Sequence, residues 1–168
     1  MTQSGDVESG YHPWSTYIAA QEEARRRGDH RVGTDYLVLG LLSDPEMERV
    51  LGVTLDAARA ALDALDHAAL VYVGFTGTFD PPYLTQRPVP KRPKVKQLLS
   101  EHLKSTPAAK AALQEAGKPM RRGQHISAVD VLRALMENPP PDPAATLFAA
   151  LKIDTASLRA RLGTETAS

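Results

Sequence analysis

The sequence predicts an all-α protein: two pseudo-repeated four-helix units packed as one domain, with an irregular proline-rich linker between them. Three observations lead there. Aromatic residues make up only 5% of the 168-residue chain, while alanine and leucine abound. Such a composition favours helix-on-helix packing over sheets, whose strands want β-branched and aromatic side chains. Ser, Thr and Asp caps, several followed by proline, recur ahead of leucine stripes at helical spacing. The second half also retells the first in order.

Residues 1–13 are polar and acidic and read as a disordered leader. The first unit, 14–70, opens with a helical pattern from Trp14 to Arg27, stopped by Gly28 behind three arginines. Thr34 reads as an N-cap with Asp35 in the first turn, leading into Leu37, Val38, Leu41 and Leu42. Asp44-Pro45 starts a short third helix that ends at Gly52. Thr54 starts a fourth, with Leu55, Ala58, Leu62 and Leu65 on one face.

In 71–93, Val71, Tyr72, Val73 and Phe75 are β-prone and suggest a short strand or hairpin. Pro81, Pro82, Pro88, Pro90 and Pro93 then forbid a continuous helix. The second unit, 94–162, begins with the stripe Val95, Leu98, Leu99 and Leu103. Thr106-Pro107 is a helix start and Gly117 a stop. Ser127 caps a helix carrying Val131, Leu132, Leu135 and Met136, which Asn138 and three prolines end. Asp142-Pro143 and Asp154 start the last two helices, and 163–168 form a small polar tail. Trp14, Tyr17, Tyr36, Leu41 and Leu132 are expected in the core.

Leu51 to Leu62 lies over Leu151 to Leu162 without a gap, matching Leu51, Val53, Arg59, Ala60 and Leu62 with Leu151, Ile153, Arg159, Ala160 and Leu162. Asp44-Pro45 matches Asp142-Pro143, and the Thr34–Leu42 helix matches the one from Ser127 to Met136. Each copy is too small to bury its apolar stripes alone, so two copies should share one core.

Twenty basic and twenty acidic side chains leave no net charge. The chain therefore has no global field to concentrate it on nucleic acid or an anionic membrane. With no cysteine, disulfides, thiolate metal sites and cysteine nucleophiles are excluded. The five histidines, His12, His30, His67, His102 and His125, form no helical zinc pair. No Gly-x-Ser-x-Gly elbow appears, so neither an enzyme nor a cofactor is expected. No apolar run reaches the roughly 18 residues of a membrane span, and no signal-peptide core opens the chain. The cytoplasm is the expected compartment.

Ala20-Gln-Glu-Glu-Ala-Arg25, Gly28-Asp-His30, Val32-Gly-Thr-Asp-Tyr-Leu-Val-Leu-Gly-Leu-Leu42 and Leu51-Gly-Val53 together resemble the Clp repeat. That repeat builds the N-terminal domain of ClpA- and ClpC-type unfoldases, where the helix start usually reads Gly-Thr-Glu-His. The resemblance spans roughly Trp14 to Leu162 and is worn in the second copy, where Val129 occupies the acid's place. Two segments resemble the family's Thr-Pro-Arg-Ala-Lys opening of the second copy: Arg92-Pro-Lys-Val-Lys96, whose spacing is the closer, and Thr106-Pro-Ala-Ala-Lys110. Lys91 and Ser105 stand where the family's phenylalanine would precede them. No Gly-x-x-x-x-Gly-Lys-Ser/Thr loop exists, so the ATPase modules that follow this domain in relatives are not expected.

The resemblance implies a non-catalytic protein- or peptide-binding module. By analogy with the family, Thr34 and Asp35 would contact phosphoarginine on substrates, as acids accept guanidinium hydrogen bonds and helix-start amides suit phosphate. Lys96 or Lys110 would line the groove between the copies, where peptides and cyclic-peptide antibiotics bind in some relatives. The plain alternatives are a helix cap and solvated lysines. The implied partners are a ClpC-type unfoldase, its substrates or such cyclic peptides, with the chain an adaptor, competitor or sequestrant. Nucleic acid is not expected. The alternative function is a DNA-binding transcriptional regulator with helix-turn-helix-like helices, against which the apolar Val131, Leu132, Leu135 and Met136 argue.

Overall fold

A computed structural model describes residues 13–75, 102–118 and 126–165. Among them the architecture is all-α, as the sequence predicts. The first copy contains α1 (Pro13–Arg27), a two-residue strand β1 (Arg31–Val32), α2 (Thr34–Leu42), α3 (Pro45–Leu51) and α4 (Leu55–Tyr72). The second contains β2 (Lys104–Ser105), α5 (Pro107–Gly117), α6 (Ala128–Met136), α7 (Pro143–Ala150) and α8 (Thr155–Glu165).

Most starts and stops obey local capping chemistry. Asp44, Thr54, Thr106, Ser127 and Asp142 each accept a hydrogen bond from the first turn of the helix they precede. Ser127 and Asp130 satisfy each other's backbone in a full capping box. Asp154 accepts from the amides of Ala156 and Ser157. Gly52 ends α3 in the left-handed region with φ +68°, where a Cβ is penalised.

Helix α2 is the hub. Eight of its nine residues are buried, and α1, α3, α4, α5, α6 and α7 all pack on it, which is why it is apolar all round. Helix α6 buries one face instead, with Val131, Leu132 and Leu135 inaccessible. The α2 and α6 leucines join Leu147, Phe148, Leu62 and Leu162 in one continuous core spanning both copies. Across the seam, β1 pairs in parallel with β2, Arg31 opposite Lys104 and Val32 opposite Ser105, and the Thr106 amide donates to the Val32 carbonyl at 2.9 Å.

Five expectations change. Val71 and Tyr72 belong to the last turn of α4, with a turn through Gly74 after it, so no strand forms at 71–75. The preceding alanine- and leucine-rich run carries helix into residues whose own preference is β. Helix α8 runs past Leu162 to Glu165. Gly117 lies inside α5, with Lys118 as the cap. Thr34 is the first helical residue of α2 rather than its cap, a place Gly33 takes. Trp14 is 45% exposed and not in the core, whereas Tyr36, Leu41 and Leu132 are buried and Tyr17 half-buried. The leader up to His12, the prolines of the linker, Val95, Leu98, Leu99, Lys96 and the end of the tail lie outside the described residues. Capped by Thr106, α5 packs against α6, so the segment ending in Lys110 opens a helix of the second copy, while the rival segment ending in Lys96 lies outside the described residues.

Candidate functional site

Thr34 is 1% exposed and ties the two copies together. Its hydroxyl donates to the Asp142 carboxylate at 2.8 Å and accepts from the Ala144 amide at 3.2 Å. Asp142 itself accepts from the same amide at 2.9 Å. The start of α7 is thus capped twice, once by its own aspartate and once by a threonine of the other copy. The sequence read Thr34 as a local cap because threonine before a leucine run usually is one; the long-range use left no local signal.

Asp35 follows it, half-buried, its carboxylate folded back so that a Cβ on Gly33 would run into it. Burial raises its pKa above the ordinary carboxylate value, against the hydrogen bonds it takes from the Tyr36 amide and its own, while nearby Asp29 adds to the rise. The Tyr36 hydroxyl donates to Asp29. Burial first, and then that hydrogen bond, hold the phenol protonated well beyond its usual range. Arg27 forms ion pairs with Asp63 and Asp66, locking α1 onto α4.

A surface feature that the sequence did not single out lies where α1 meets the strand entering the second copy. The Trp14 ring stands edge-on to His102, centroids 5.3 Å apart, and tilted against Tyr17 at 5.5 Å. Tyr17 donates to the Leu103 carbonyl at 2.7 Å, and the Leu103 amide donates to Gln21 Oε1 at 3.2 Å. Two α1 side chains one turn apart therefore hold both main-chain groups of Leu103. Gln21 Nε2 also lies 3.4 Å from His102 Nδ1. Trp14 and His102 are 88 positions apart in sequence, which no periodicity could reveal. Lys110 is exposed on α5, and Lys104 is exposed in β2.

A groove of about 540 Å³ lies between α5 and α6, floored by alanines that include Ala134 and edged by Glu115, Asp130, Arg133, Glu137 and Asn138. A hollow of about 470 Å³ sits on α4 between Asp66 and Val73, next to exposed Tyr72 and Phe75. Val131, Leu132, Leu135 and Met136 of α6 all pack inside, and its more accessible side carries Val129, Asp130 and Arg133. Among the described residues no His, Cys, Asp and Glu group is placed to hold a metal ion, and no helix is long and apolar enough to cross a membrane.

No protein-family model matches the chain, and no curated protein does. Among solved structures it is similar to the N-terminal domain of the caseinolytic protease associated chaperone ClpD from Arabidopsis thaliana. The similarity has a TM-score of 0.61 at 20% identity and covers 92% of this chain and 94% of that one. The all-α arrangement described above is the Clp N-terminal-type fold.

Proposed function

We propose that the chain is a non-catalytic, cytoplasmic module that binds proteins or peptides at the seam between its two copies. It acts in Clp proteolysis as an adaptor, competitor or sequestering protein. The observation that carries this reading is the half-exposed Trp14, held between Tyr17 of the first copy and His102 at the edge of the second. Large aromatic rings on a surface are strong anchors for a partner because they bury much area at little entropy cost. The fold it shares with a chaperone-associated domain supports the same direction.

In this reading Trp14, His102 and Lys110 face the ligand, with Lys96 a further candidate. Asp35 offers a carboxylate for a guanidinium, and Thr34 holds the seam closed behind it. The ligands are a ClpC-type unfoldase, phosphoarginine-bearing substrates or cyclic-peptide antibiotics that target such an unfoldase. Trp14 is the one tryptophan of the chain, so its own fluorescence reports the site. Titration with each of the three ligand types should shift its emission to the blue for at least one, and Trp14→Ala should abolish binding measured by calorimetry. Silence with all three, or binding unchanged by Trp14→Ala, refutes the proposal.

A further inference from the structure

Arg31 and Lys104 stand side by side where the two copies meet. Strand β1 comes from the first copy and β2 from the second, paired in parallel with Arg31 opposite Lys104. Val32 is buried and Ser105 half-buried, so both cationic side chains leave the opposite, outer face, on strands about 4.8 Å apart. Among the described residues neither makes an ion pair, whereas Arg26, Arg27 and Arg59 of the first copy each have a carboxylate partner. Asp29, the acid nearest to Arg31 in sequence, is engaged by the Tyr36 hydroxyl. Two like charges so placed repel each other. An anion between them replaces that repulsion with two attractions.

The pair is fixed in place and close to the aromatic seam. Tyr17 and Gln21 hold both main-chain groups of Leu103, and the Thr106 amide donates to the Val32 carbonyl, so the run carrying Lys104 is tied down on both sides. His102, against which Trp14 stands edge-on, precedes Lys104 by two residues. Their α-carbons are therefore at most about 7 Å apart, and a ligand covering Trp14 comes within a side chain's reach of both cations. The chain has no net charge. Any preference of its ligand for one sign of charge must then come from local groups such as these rather than from an overall field.

We infer that Arg31 and Lys104 form an anion site at the seam. It selects protein segments that carry an acidic side chain about two to four positions from the apolar residue covering Trp14. The inference rests on the seam reading given above and names the chemistry its ligand must have. One carboxylate is shared between the copies, met by the planar fork of the Arg31 guanidinium and by the point charge of the Lys104 ammonium. A basic segment at the same place is repelled.

The test uses the full chain and three end-capped hexapeptides, Ala-Leu-Ala-X-Ala-X with X as glutamate, glutamine or lysine, followed by Trp14 emission and by calorimetry. Capping removes the terminal carboxylate, so only the side chains differ. The glutamate peptide should bind about tenfold more tightly than its glutamine isostere and lose that advantage in high salt, and the lysine peptide should bind most weakly. Lys104→Glu gives Arg31 a partner of its own, so the variant should fold at least as well and show no preference for glutamate. Arg31→Gln with Lys104→Gln should erase the same preference while the glutamine peptide still binds. Trp14→Ala should weaken all three peptides. If all three move Trp14 emission with one affinity, the inference is overturned and the seam reading stands. If the glutamate peptide binds in calorimetry, loses its advantage in the double variant and leaves Trp14 emission unmoved, the anion site stands and the seam reading falls. No binding by any peptide, or a glutamate advantage that survives both sets of substitutions, overturns the inference outright.

Discussion

The first copy is built around a helix that is buried on every side, the second around a helix buried on one. Helices α2 and α6 have the same length and share apolar residues at the pairs Leu37/Val131, Val38/Leu132, Leu41/Leu135 and Leu42/Met136, yet the other five pairs differ in character, and three of those set the copies apart. Thr34 faces Asp142 and the α7 amide while its counterpart Ala128 has no hydroxyl; Asp35 corresponds to Val129; Gly40 corresponds to Ala134. By contrast, Gly52 and Lys152 both adopt left-handed backbone, with φ +68° and +56°. The duplication kept what the shared core needs, namely apolar register and the turn between helices. It released the positions that only one copy uses. At 152 the same backbone shape forms without a glycine, with the Lys152 amide donating to the Ala149 carbonyl and the Ile153 amide to the Phe148 carbonyl, both at 3.0 Å.

The largest effects test whether the hub is less forgiving than its partner. Leu41→Ala in α2 and Leu135→Ala in α6 remove equivalent side chains that are 1% and 0% exposed. Each should lose about 2–5 kcal/mol. Leu41→Ala belongs at the upper end, because elements on all sides of α2 hinder collapse around the cavity. Chemical denaturation of the two variants decides this, and equal losses would erase the distinction between hub and partner.

Gly40→Ala comes next. A Cβ there would run into the Thr16 carbonyl oxygen and sit 3.0 Å from the Ala20 nitrogen. This clash with α1 main chain should outweigh the roughly 1 kcal/mol helix preference for alanine and leave a net loss of about 2 kcal/mol. Ala134→Gly in the other copy should lose only about 1 kcal/mol, the ordinary penalty of glycine within a helix. A neutral Gly40→Ala in a denaturant melt would mean that α1 can move away freely, and the contrast between hub and partner would fail.

These pairings also mark what was legible in the sequence. Caps at Asp44, Thr54, Thr106, Ser127, Asp142 and Asp154 are local hydrogen bonds between residues two or three apart, and the pattern of types around them is enough to find them. The buried leucines follow from helical spacing for the same reason. Thr34 looked like one more cap because its job depends on Asp142, 108 positions away. Trp14 looked like core because size and apolarity favour burial, yet it lies at the edge where α1 meets His102. Val71 and Tyr72 have strand preference but stand at the end of an 18-residue helix that propagates through them. The groove beside Ala134 was invisible because a single alanine within a helix carries no signal until its partner helix is placed.

Removing the hydroxyl of Thr34 tests the tie between the copies. Thr34→Val keeps the shape but leaves the Asp142 carboxylate without that donor, and about 1–2 kcal/mol should be lost. Thr34→Ser should retain most of the stability. Ala128→Thr, the mirror change, should gain nothing. A harmless Thr34→Val in thermal melts would show that the α7 cap from Asp142 suffices by itself.

Lys152→Gly and Gly52→Ala should move stability in opposite directions. The first relieves a left-handed lysine, a conformation that disfavours a Cβ by about 1–2 kcal/mol, less the entropy that glycine returns to the unfolded chain. A net gain of about 0.5–1 kcal/mol is expected. Gly52→Ala should lose about 1 kcal/mol for the converse reason. Matching signs in the two melts would separate the two turns.

The smallest effect concerns Asp35, whose counterpart Val129 is uncharged. Burial raises the Asp35 pKa, so the folded state keeps this proton to higher pH than the unfolded chain does. Its contribution to stability therefore falls as pH rises from the ordinary carboxylate value to the raised one, and stays low above that window. Asp35→Asn abolishes the titration while keeping an oxygen to accept the helix-start amides. The variant should match the parent in acid and be slightly more stable at neutral pH, with the difference opening as the pH crosses that window. Thermal melts of both proteins between about pH 3 and 7 read it directly. A variant less stable than the parent at neutral pH would mean that attraction between the carboxylate and the positive end of α2 exceeds its desolvation. The valine of the second copy would then be a loss rather than a relief.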